Sequence, residues 1–167
     1  DHMGFTPQQV ETGGYSAQMY NSFLDTTKSA IEACAVCNAN ELLPQTCGLQ
    51  FPAIGPEALP TVLRPRDEGG ILEHAGTVEI VAGENRDGSP IPNNLRWGVF
   101  VVFRAGTPLV QRFFHMHDFL CDASGEYGAY YRPFHMIGFE LGISVASAVL
   151  RGEPTGSTLS FTADVAA

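Results

Sequence analysis

The hydrophobic period of this chain changes from helical to strand-like after its first third, and that change limits the fold more than any other feature. From about Ser16 to Ala39, Met19, Tyr20, Phe23, Leu24, Thr27, Ile31, Cys34 and Ala35 recur at three- and four-residue steps, which predicts one long helix with Ser16 as its N-cap. Gly4 to Gly14 reads as loop. Between Glu41 and Gly70, Pro44, Gly48, Pro52, Gly55, Pro56, Pro60 and Pro65 break every pattern, so this stretch reads as a wandering loop outside the core. After it the period becomes two. Strands are predicted at Gly76 to Gly83, Leu95 to Ala105 and Leu109 to Phe119, with turns at Asp87-Gly88 and Gly106-Thr107-Pro108. Asp122 to Gly128 reads as a polar loop. A second helix is expected from Pro133 to about Arg151, stopping at Gly152, and a last strand in "STLSFTADVA". Helices set apart from an antiparallel or mixed sheet make an α+β domain, with helices packed on one face.

The 167 residues suit one domain with a sizeable core. Nine basic residues stand against 18 acidic ones, a net charge of −9, with no basic run; this excludes a nucleic-acid binder, whose affinity comes from neutralising phosphates. Charged residues are only 16%, which points to faces covered by another domain or a second subunit. The four cysteines, Cys34, Cys37, Cys47 and Cys121, are too sparse for a disulfide framework. The N-terminal residues show no secretory signal. The longest apolar run, Met136 to Leu150, contains Glu140 and is too short to span a bilayer. A reducing, cytoplasmic setting without membrane insertion is the expectation.

Eight of the nine basic residues are arginine, and Lys28 is the one lysine. Asn21, Asp25, Lys28 and Glu32 share one polar stripe of the first predicted helix. Such a stripe is either a solvated face with weak ion pairs or a reactive one. An ammonium can donate a proton or polarise a carbonyl, which a guanidinium does poorly. His115 and His117, two apart on a predicted strand, point to one face. With Asp122 they give HxHxxxxD, a near miss of a cupin metal motif whose second part is absent. They read as metal ligands or as a hydrogen-bonded pair at the core edge. Arg132 and His135, at the start of the second predicted helix, read as an anion site. Alternatively, Arg132 pairs with a carboxylate such as Glu140 or Asp122. Cys34-x-x-Cys37 lies mid-helix with no second pair and reads as core thiols.

Two segments, "GGYSAQMYNSFLDTTKSAIEACAVCNA" and "YYRPFHMIGFELGISVASAVLRGEPTG", resemble the central part of homoserine-dehydrogenase-like oxidoreductases, in particular the 1-deoxy-D-xylulose 5-phosphate reductoisomerase-like group. The resemblance spans nearly the whole chain. It implies that residues 1–167 are a single catalytic and dimerisation domain, with an N-terminal Rossmann domain and a C-terminal SAF-type domain belonging to the same enzyme. It further implies NADPH as cofactor, bound mainly by the Rossmann domain, a small phosphorylated ketose as substrate, and a homodimer. The implied reaction opens the methylerythritol phosphate route to isoprenoid precursors; a homoserine-dehydrogenase-like reaction on another small substrate and a non-catalytic dimerisation module are the alternatives. Carried onto this sequence, Lys28 and Asp25 become catalytic residues, and Asn21, Arg132 and His135 contact the substrate. A divalent metal stays open, because no carboxylate triad like that of the ordinary reductoisomerase can be matched.

Overall fold

A computed structural model describes residues 6–24, 27–135, 138 and 140–155. The chain folds as α1 (Pro7–Gly13), α2 (Ala17–Leu24), α3 (Thr27–Asn40), α4 (Leu59–Val62), β1 (Val99–Arg104), α5 (Pro108–Met116), β2 (Tyr127–Arg132) and α6 (Leu141–Ala146), with short 3₁₀ turns at Pro56–Ala58 and Arg66–Glu68 and a π-helical turn at Ser147–Arg151. This is an α+β fold on a two-stranded antiparallel sheet. The expected last strand, residues 157–166, lies outside the described residues.

The core forms where the sequence suggested only loop. Leu59 and Leu63, on and just after α4, are buried with Leu72, Leu95 and Ala129. A one-turn helix is too short to stand alone, and here burial of its leucines against the sheet holds it. Pro60 sits at its start, where its missing N–H costs nothing. Pairing of Val102 with Ala129 and of Phe100 with Tyr131 turns one face of the sheet to this core. The other face carries Val99, Val101 and Tyr130, all exposed.

The first predicted helix is present as α2 and α3, and the Ser16 hydroxyl accepts from the Met19 amide at 3.2 Å, as an N-cap does. Cys37 is the buried thiol of α3, and none of the four cysteines is in a disulfide. Four other expectations are corrected. Gly4 to Gly14 contains α1, opened by a capping box between Thr6 and Gln9. Gly76 to Gly83 is not in a strand; the Glu79 carboxylate takes the Gln50, Phe51 and Ile80 amides at 2.9 to 3.3 Å. Leu109 to Phe119 is not a strand: Pro108–Met116 is α5, with the Thr107 hydroxyl accepting from Val110 at 3.3 Å. Residues from Tyr127 to Arg132 form β2, Pro133 to His135 are not helical, and among the described residues the helix that follows is α6. Among the described residues, no helix is long and apolar enough to cross a membrane.

Candidate functional site at the end of the second strand

The fold brings Arg132 and His135 together but on a different scaffold from the one expected. Arg132 ends β2, opposite Val99. His135 lies beyond it in the connection to α6, so neither residue sits on the first turn of a helix as expected; the pair faces Glu140, the N-cap residue of α6. The His135 amide donates to the Trp97 carbonyl at 2.5 Å, which folds the connection back over the entry to β1. Trp97 has a left-handed φ of 67°, and Gly98 follows it. A Cβ on Gly98 would come within 2.8 Å of the Arg132 carbonyl, so glycine is what lets the two chain segments approach.

Three contacts define the cluster around the Arg132 guanidinium and its neighbour His135. Its Nη1 forms an ion pair with Glu140 Oε1. Its Cζ sits 4.5 Å from the Phe134 ring centre, a cation–π contact. His135 Nδ1 lies 3.7 Å from the other Glu140 oxygen. The carboxylate pairing foreseen for Arg132 is therefore the one formed, and Glu140 is the partner. The cluster is accessible: Arg132 and His135 side chains keep 37% and 48% of their exposure. Glu140 Oε1 itself is shut off from water, and Arg132 is the group it meets.

Lys28 is half-buried on α3 and Asn21 is exposed on α2. Asp25 lies outside the described residues. His115 and His117 do not converge. They fall on α5 and at its C-cap, where residues two apart point away from each other. His115 Nδ1 instead lies 3.8 Å from Cys121 Sγ, and His117 stacks near Phe113. Asp122 is buried against Ser124, the Tyr127 amide and Arg64. Among the described residues no three His, Cys, Asp or Glu side chains could hold a metal ion. The divalent-metal reading of His115 and His117 rested on a shared strand face, and that face does not exist.

A second polar cluster was missed from sequence. Arg104 pairs with Glu126 at 2.5 Å and with Glu68 at 3.2 Å, and the Tyr127 hydroxyl donates to Glu68. Burial, followed by that hydrogen bond, pushes the Tyr127 phenol up to about 12. Burial alone would raise the Asp122 carboxyl, but the Ser124 hydroxyl, the Tyr127 amide and Arg64 hold it below the usual range. This cluster ties the Arg66–Glu68 turn to both strands and is structural. Its members are scattered in sequence, and no spacing announces them.

The described residues contain no parallel strand–helix–strand unit, and the sequence has no glycine-rich phosphate turn after a strand, the two parts of a Rossmann-type dinucleotide site. Residues 2–141 match the family described as the oxidoreductase DRL catalytic domain. No curated protein matches the chain.

Proposed function

The chain belongs to the oxidoreductase DRL catalytic-domain family, and on that premise we propose that it supplies the substrate-facing part of an NAD(P)H-dependent reductoisomerase. The family match over residues 2–141 is the observation that carries this reading. The proposed substrate is a small phosphorylated ketose, 1-deoxy-D-xylulose 5-phosphate, and the proposed product class is the branched polyol phosphate of isoprenoid precursor synthesis. The nicotinamide cofactor is assigned to a separate Rossmann domain. Reduction of a carbonyl needs a donor to the developing alkoxide and a clamp for the phosphate. Lys28 is proposed as the donor, oriented by Asp25, with Asn21 on a substrate hydroxyl. Arg132 and His135 are proposed as the clamp, supported by their adjacency and accessibility. A homodimer is proposed as well, supported by the exposed apolar face of Val99, Val101 and Tyr130.

The test is turnover in the natural full-length protein. Lys28→Met is expected to lower kcat about a hundredfold or more, the scale of a lost general acid. Arg132→Met is expected to raise KM with a smaller effect on kcat. Near-normal kcat and KM in Lys28→Met would overturn the assignment of that residue. Turnover of homoserine in place of the phosphorylated ketose would move the chain to the homoserine-dehydrogenase-like alternative.

A further inference from the structure

We propose that Glu140 is an internal stand-in for a phosphate, occupying the Arg132–His135 site until a phosphate monoester displaces it. The proposal rests on the reading of Arg132 and His135 as a clamp and adds a guard residue to it. The geometry is that of an anion site already filled. One carboxylate is held by a guanidinium through one oxygen and faces an imidazole at 3.7 Å through the other. Groups that hold a carboxylate in this way also hold phosphate, which offers more charge and a third acceptor oxygen.

The present occupant leaves part of the site unused. Glu140 meets Arg132 through one oxygen, but its other oxygen stands 3.7 Å from His135 Nδ1, beyond hydrogen-bond distance. A phosphate monoester brings more charge and a further acceptor oxygen to the same two side chains, so exchange is favoured. Arg132 and His135 do not need to move for that exchange. Arg132 is fixed by β2 and by the Phe134 ring 4.5 Å below it, and His135 is fixed by its amide bond to the Trp97 carbonyl at 2.5 Å. Glu140, by contrast, stands at the entry to α6, whose Leu141, Ile143 and Val145 are exposed. Releasing Glu140 therefore breaks no core contact of that helix. Substrate binding and the position of α6 become coupled through one carboxylate.

Inorganic phosphate is the probe, added to the full-length protein. Trp97, the single tryptophan, neighbours the site and reports on it by fluorescence. A saturable change with phosphate is expected in the unmodified protein, and its loss in Arg132→Met. Glu140→Gln, which keeps the shape and removes the charge, is expected to tighten phosphate binding about five- to tenfold. Unchanged or weaker phosphate binding in a folded Glu140→Gln protein would overturn the proposal. So would the absence of any Arg132-dependent phosphate signal in the unmodified protein, which needs no variant at residue 140. If Glu140→Gln tightens phosphate but no phosphorylated ketose is turned over, the guarded anion site stands and the reductoisomerase reading fails.

Discussion

Tyr127 shows how one side chain ties chemistry to stability in this chain. Its hydroxyl donates to Glu68, and its ring lies 5.9 Å from the Arg64 guanidinium. Its phenol is raised to about 12, above an unfolded value near 10. A raised phenol contributes stability that is fully present below about pH 10 and is lost as pH climbs through about 12. Chemical denaturation across that window should show the loss in the unmodified protein and flatten in Tyr127→Phe. Glu73 works at the other end of the scale. The Thr46 amide and hydroxyl, at 2.7 and 2.8 Å, hold its carboxyl down to about 2. Its contribution persists above the ordinary carboxylate range and disappears as pH falls through about 2. Arg132 was legible from sequence as a cation with two possible partners, and the structure chose Glu140. The choice could not be read beforehand, because it depends on a reversal of the chain at Trp97–Gly98.

At the scale of elements, the same dipeptide misled twice. Thr6-Pro7 and Thr107-Pro108 both read as turn residues, yet each opens a helix. Threonine accepts from an amide of the first turn, and proline fills the first helical position, where no N–H is needed. Thr107→Ala should therefore destabilise the protein by about 1 kcal/mol, measured as a shift in urea midpoint at constant slope. Calling α5 a strand also created the paired histidines, since alternate residues converge only on a strand. The reverse error occurred at β2, whose Tyr-rich run has ordinary strand propensity but falls between the loop expected to Gly128 and the helix expected from Pro133. Gly76 to Gly83 alternates convincingly and still forms no strand ladder, with single backbone bonds from Leu43 to Gly76 and from Ala82 to Pro52 at its ends. Glu79 turned inward and took the amide bonds a neighbouring strand would have supplied. The α2–α3 region and β1 were legible because their periodicity runs long enough to outweigh local punctuation.

For the molecule as a whole, the two faces of the sheet have different fates. The inner one is packed against α4 and the leucines around it. The outer one shows Val101 and Tyr130 each 59% exposed, side by side in register. Low overall charge already pointed to covered faces, though not to which face. Val101→Lys should shift the protein toward monomer in sedimentation experiments if that face joins two copies, with its melting behaviour otherwise little changed. The tight turn around Arg86 has a last implication. Asp87 there accepts from the Ser89 amide at 2.9 Å, and the loop is fully exposed at residues 85–90. Leu59, Leu63 and Leu72 precede it, while their partners Leu95 and Ala129 follow it; Arg64–Asp122 and Glu68–Arg104 bridge the same divide. A protease that nicks the chain after Arg86 would thus yield two fragments in a denaturing gel but one particle in solution, two interlocked pieces that neither half could reproduce alone.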